Sequence, residues 1–150
     1  MNISRTLSSL VLLVVVGVWL GGCSAPVQKA GIAVSLLDLT VGPDNKAVLV
    51  LRMQNENVTP IAISSTKHKV VLNGESFGQA VGEKPVALKE HGDVRHEATL
   101  PLANAAAAER LRAMLAAGAV DYRLDSRLLC EAGEDDLILV TSAHGRLERR

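Results

Sequence analysis

From Ile32 onward, apolar and polar residues alternate along most of the chain with the period of a β-strand. Ile32, Val34, Leu36 and Asp38 fall on one face and Ala33, Ser35, Leu37 and Leu39 on the other, and Gly42-Pro43-Asp44-Asn45 stops the run. Ala47, Leu49, Leu51 and Met53 then share a face opposite Val48, Val50, Arg52 and Gln54, until Asn55-Glu56-Asn57 breaks the pattern. Two stretches, 61–67 and 69–72, lead into Asn73-Gly74, a hairpin signal because both residue types tolerate positive φ. Residues 75–81 form the return strand. The turn Glu90-His91-Gly92-Asp93 opens another strand, over 94–102, with Val94, His96, Ala98 and Leu100 on one side.

One segment departs from this rhythm. Asn104 is a good N-cap, 105–117 is rich in alanine, and Gly118 stands where a helix-terminating glycine belongs. Leu111, Met114 and Leu115 share a face, and Ala107, Ala108, Ala116 and Ala117 permit close approach. Period two then returns. Tyr122, Leu124, Ser126, Leu128 and Cys130 lie on one side, with Arg123, Asp125, Arg127 and Leu129 on the other. An acidic turn over 131–136 precedes a strand over 137–142, and His144-Gly145 separates it from a last short strand through Leu147. About seven short strands with turn signals between them predict a mainly β, two-sheet antiparallel sandwich, with the single α-helix capping one open end.

Residues 1–22 do not fit this domain. Arg5, an apolar stretch from Leu10 to Leu20 and the small pair Gly21-Gly22 precede Cys23, which is the order of a secretory leader. The apolar run is shorter than the roughly 20 residues a spanning helix needs. Leu20-Gly21-Gly22-Cys23 resembles the bacterial lipobox, with Gly21 a less usual occupant of its place than Ala or Ser. That resemblance implies a lipoprotein signal peptide over 1–22, lipidation of Cys23 and a membrane-lipid partner. More than one acyl chain gives stable anchoring where a single one does not. Residues 23–30 then form a polar, proline-containing tether, and 31–150 form one domain. Ser24 after Cys23 resembles the choice of outer-membrane lipoproteins, so a periplasm-facing outer-membrane position is expected.

Charge and composition remove several function classes. Arg5 is the only charged residue of the leader, leaving 15 basic and 16 acidic residues interspersed through the remainder. This balance gives nucleic acid no basic stripe to meet. Trp19 lies in the leader, so Phe77 and Tyr122 are the only aromatic residues left, too few for a stacking platform. With Cys23 acylated, Cys130 has no intramolecular partner. Beside acidic Glu131 and in an apolar strand register, it reads as a buried structural thiol rather than a nucleophile.

His68, His91, His96 and His144 lack paired-ligand spacing, so no metal is expected, and His96 is expected to point inward. Ser64-Ser65-Thr66 sits in a strand rather than at a nucleophile elbow. Asp135 and Asp136 are adjacent in a turn and do not face each other across a substrate, and no glycine-rich phosphate loop occurs. No catalytic residue and no cofactor are expected.

The order of features from Val34 to Leu147 resembles the late embryogenesis abundant type 2 family, also called the water stress and hypersensitive response (WHy) domain. The residues that carry it are 49–57 with Asn55 and Asn57, Pro60-Ile61-Ala62-Ile63, the hairpin with Asn73 and Gly74, the helix, Val120-Asp121-Tyr122-Arg123-Leu124, and Gly145-Arg146-Leu147. The family's Asn-Pro-Asn motif has Glu56 in place of proline here. The resemblance implies an immunoglobulin-like antiparallel β-sandwich and a non-enzymatic role in desiccation or osmotic stress. A second expectation, of another class, is a periplasmic adaptor that takes up a partner protein by β-strand addition. Its candidate edges are 61–66 and the C-terminal strand.

Overall fold

A computed structural model describes residues 31–132 and 135–148 of the chain. The leader, Cys23, the tether and the tip of the acidic turn lie outside the described residues. In chain order the elements are β1 (Ile32–Val41), β2 (Lys46–Asn55), β3 (Ile61–Leu72), β4 (Glu75–Gly82), β5 (Val86–Leu88), β6 (Asp93–Pro101), α1 (Ala105–Ala116), β7 (Val120–Ala132) and β8 (Asp135–Leu147). Among the described residues no helix is long and apolar enough to cross a membrane.

The strands follow one antiparallel path, β1-β2-β6-β4-β3-β7-β8, with β5 paired to the start of β3. A single pair, Val81 with Thr99, joins β4 to β6 and so links the two halves. The terminal strands β1 and β8 pack beside each other. The result is mainly β, with one helix and a sheet curled into a nearly closed, sandwich-like barrel.

The strands form where alternation places apolar side chains on one face. In β2, Ala47, Leu49, Leu51 and Met53 are wholly buried while Val48, Arg52 and Gln54 are exposed. In β7, Val120, Tyr122, Leu124, Ser126, Leu128 and Cys130 all face inward. Each aliphatic side chain so placed contributes roughly 1.5–3 kcal/mol of burial. Helix α1 closes one end: the Asn104 carboxamide oxygen accepts from the Ala107 amide at 2.9 Å, and Ala107, Ala108 and Leu111 enter the core. Gly118 follows at φ 125. Arg112 ties the helix down by donating to the Gly42 carbonyl at 2.7 Å.

Five details differ from the sequence-based expectation. A bulge at Leu37 shifts the register of β1, so Leu39 turns inward and Asp38 outward, where its carboxylate accepts from the Leu39 amide at 2.8 Å. β3 runs unbroken through His68, which is fully buried, because polar partners await it inside. β8 also runs unbroken through His144 and Gly145, since β7 pairs with it along its whole length. Residues 61–66 form no sheet edge, for β3 is flanked by β4, β5 and β7. Ala116 and Ala117 are exposed rather than packed on the barrel.

Candidate functional site

The structure separates the residues singled out from the sequence into three fasteners at different places. Asn55 and Asn57 form the first. Asn55 ends the inward face of β2 and is wholly buried. Its amide nitrogen donates to the carbonyls of Thr59 (2.8 Å) and Lys89 (3.0 Å). Its oxygen accepts from the backbone and side-chain nitrogens of Asn57, both at 3.0 Å. Asn57 also donates to the Gly31 carbonyl at 3.2 Å. One pair of carboxamides thus ties the β2–β3 loop to the start of β1 and to the β5–β6 loop. A buried amide needs partners for both its donors and its acceptor, and here it has them. The Glu56 side chain is exposed, while its backbone amide joins the knot by donating to the same Gly31 carbonyl at 2.8 Å.

Asn73 and Gly74 form the second. Both have positive φ, 47° and 82°, as a tight two-residue hairpin between β3 and β4 requires. Asn73 exchanges two bonds with Asp121: its amide donates to the Asp121 carbonyl (2.8 Å), and its side-chain oxygen accepts from the Asp121 amide (2.9 Å).

Tyr122 and Gly145 form the third. They are register partners across β7 and β8. A Cβ at Gly145 would stand 2.7 Å from the Tyr122 hydroxyl, so the absence of a side chain lets the ring lie flat there. The hydroxyl accepts from the Leu36 amide of β1 at 3.3 Å. It therefore satisfies a backbone donor at the seam where β1 and β8 meet.

A fourth cluster was not anticipated. Thr66, His68, His96 and Ser126 come together inside the barrel, each almost wholly buried. His68 Nδ1 lies 2.7 Å from the Ser126 hydroxyl, and His68 Nε2 lies 2.9 Å from the Thr66 hydroxyl. His96 Nε2 meets the same Thr66 oxygen at 3.2 Å. A hydroxyl has one proton to donate, so Thr66 donates to one ring and accepts from the other. Either polarity of the chain Ser126–His68–Thr66–His96 is satisfied with both rings neutral. A Cβ at Gly82 would fall on the His96 ring and the Thr66 hydroxyl, so glycine there makes room for the network.

The electrostatics favour neutral rings. Burial, then the nearby His96, lowers the His68 pKa to about 4. Burial also lowers that of His96, with Glu97 opposing and Lys84 assisting. Two signals in the sequence pointed here: the two-residue spacing of Thr66 and His68 in a strand, and Ser126 in the apolar register of β7. His91 and His144 are exposed and stand apart from this network.

Among the described residues, no three His, Cys, Asp or Glu side chains gather as metal ligands. Every buried side-chain nitrogen or oxygen among them has a hydrogen-bond partner. Cys130 is buried, with its sulfur 3.9 Å from the Leu128 carbonyl, and burial pushes its thiol pKa up, the opposite of an activated nucleophile. A hydroxyl-imidazole chain of this kind can hold strands in register and relay a proton.

Fold and site together define a small antiparallel β module whose motif residues fasten strands and loops. The sequence profile of the late embryogenesis abundant protein family (LEA_2) matches residues 50–131, more than half of the chain. The chain belongs to this family. Among solved structures it is similar to AT1g01470 from Arabidopsis thaliana, at 16% identity and a TM-score of 0.54, covering 87% of this chain and 89% of that one. It is also similar to a protein from Archaeoglobus fulgidus, at 18% identity and a TM-score of 0.49, covering 79% and 96%. A third likeness is to the late embryogenesis abundant protein At2g46140.1, at 14% identity and a TM-score of 0.48, covering 97% and 85%. Among curated proteins no sequence match was found.

Proposed function

We propose that this protein is a lipid-anchored, non-enzymatic envelope protein of the water stress and hypersensitive response type, protective during desiccation or osmotic stress. The observation that carries the reading is the family match across residues 50–131, since family membership suggests a stress-related, non-enzymatic role. The fasteners support it, because they put the motif residues to work holding the domain together, which a protectant needs while water is withdrawn. The interspersed charges give it a hydrated outside. Anchoring rests on Leu20-Gly21-Gly22-Cys23, and the outer-membrane, periplasm-facing position on Ser24.

Two measurements test the two parts. A deletion strain should lose viability after drying and osmotic shock, and equal survival with its parent removes the protective role. Labelled palmitate should enter the wild-type chain and not Cys23→Ala, and an unlabelled wild type removes the anchor.

A second reading, an envelope adaptor that takes up a partner strand, is favoured by one observation: among the described residues β8 pairs on a single side, with β7. Crosslinking in intact envelopes separates the two, since a protectant yields no stoichiometric foreign partner.

A further inference from the structure

Six large apolar side chains are exposed among the described residues, and three of them, Leu137, Ile138 and Val140, fall within four consecutive positions of β8. Ile138 is the most exposed of the three, at 59%. On its other side β8 is covered by β1 only towards its C-terminal end. Tyr122, the partner of Gly145, reaches Leu36, and Leu37 to Val41 line one groove with Leu147 and Glu148. β1 begins at Ile32, four residues before Leu36, and four residues before Gly145 is Thr141. Gly31, just before β1, has φ 57°, and its carbonyl accepts from the Glu56 amide and the Asn57 side chain at the β2–β3 loop. The edge from Asp136 to Val140 therefore meets no strand among the described residues. Natural sheets blunt such edges with charged side chains, proline or bulges. Residues 137–142 contain no charged residue, proline or glycine, and β8 pairs with β7 there without a bulge.

We propose that this edge pairs antiparallel with the same edge of a second copy of the chain, about a two-fold axis at Ile138. The proposal takes the edge that the adaptor reading would use and gives it a different occupant, independent of the protective role. Chemistry across the rows selects the register. Leu129 faces Ile138 within one copy, so an axis at Ile138 makes a four-residue apolar row: Leu129, Ile138, and the same two from the second copy. Asp136 of the second copy then falls opposite Val140, whose β7 partner is Arg127, one strand from a guanidinium. Within a single copy Asp136 lies opposite Glu131, a like-charge pair that the second copy's Arg127 relieves. Moving the axis to Leu139 would instead place Asp136 opposite Ser142, whose hydroxyl already donates to Asp125 at 2.8 Å, setting carboxylate beside carboxylate. The contact is short, so the dimer is a weak one.

The test uses the full-length chain in its membranes, with Ile138→Cys under mild oxidation. The two cysteines would meet at the axis, so a disulfide-linked dimer is expected at about ten times the yield of the wild type or of Val48→Cys, which is exposed on β2. Adding Arg127→Glu to Ile138→Cys should reduce the yield, and adding Asp136→Arg as well should restore it. Restoration also shows that the variants fold. Equal yield from Val48→Cys, no dimer, no restoration by the charge swap, or a crosslinked species of any other mass would overturn the proposal.

Discussion

The inward face of β2 and the inward faces of β3 and β7 are equally buried and differ in chemistry. In β2 the face is unbroken aliphatic from Ala47 to Met53 and turns polar only at its end, with Asn55. In β3 and β7 the polar residues sit mid-strand: Thr66 and His68 between Ile63 and Val70, and Ser126 between Leu124 and Leu128. The aliphatic face gains from every atom it removes from water. The polar face must first recover the hydrogen bonds its groups lose, so it stabilises little and instead fixes which strand lies beside which. Burial alone is therefore a poor guide to how a residue contributes. On one wall of this barrel it measures hydrophobic stabilisation, and on the other it measures how fully a network is satisfied.

The largest expected break in this comparison is on the aliphatic face. Leu49→Ala should cost about 3–5 kcal/mol, read as a lowered urea midpoint, because both transfer energy and packing are lost at a wholly buried site. A loss under about 1 kcal/mol would show that this wall repacks freely.

The polar wall should break with acid. The folded pKa of His68 is lowered from 6.5 to about 4, so below pH 6.5 the unfolded chain takes up a proton that the folded chain refuses. Stability is fully present above that value and falls as pH drops from 6.5 towards 4, by about 3 kcal/mol at 1.36 kcal/mol per unit. His96 adds to the same direction. Melting temperature against pH should show this slope, and His68→Gln should flatten it. An unchanged slope in that variant would place the titrating group elsewhere.

At the ends of the two faces the effects should be smaller. Asn55→Ala should cost about 2 kcal/mol in the same urea experiment, since the Thr59 and Lys89 carbonyls lose their donor. Tyr122→Phe should cost about 1 kcal/mol, the worth of one hydrogen bond to the Leu36 amide, with the ring still filling the space over Gly145. Hydrogen exchange at Leu36 should rise in Tyr122→Phe and stay unchanged in Asn55→Ala, which tells the seam from the knot.

Much of the fold was legible along the chain. Alternation in β2 and β7 correctly assigned every inward residue from Ala47 to Met53 and from Tyr122 to Cys130. The Asn104 cap and the Asn73-Gly74 hairpin were legible because their chemistry is local. The bulge at Leu37 was not, since what rewards the shift is Leu39 packing in the core, not anything within β1. His68 interrupts the apolar alternation of β3, and its burial is not legible there because one of its two partners, Ser126, is 58 positions away and the other, Thr66, is completed by His96, 30 positions on. The motif residues were found in advance, but their work as three separate fasteners was not, because each bonds to a segment distant in the chain.

The sequence by itself determined which side of β2 and of β7 faces inward, where the helix starts and where the tight turn falls, since these follow from side-chain period and backbone preference over a few residues. Only the tertiary structure decided that β3 is central and β8 an edge, that Tyr122 closes the seam to β1, and that four polar side chains meet inside. Those outcomes depend on which strands lie side by side. A period of two specifies a face and is silent about the neighbour, which is set by long-range closure of the sheet.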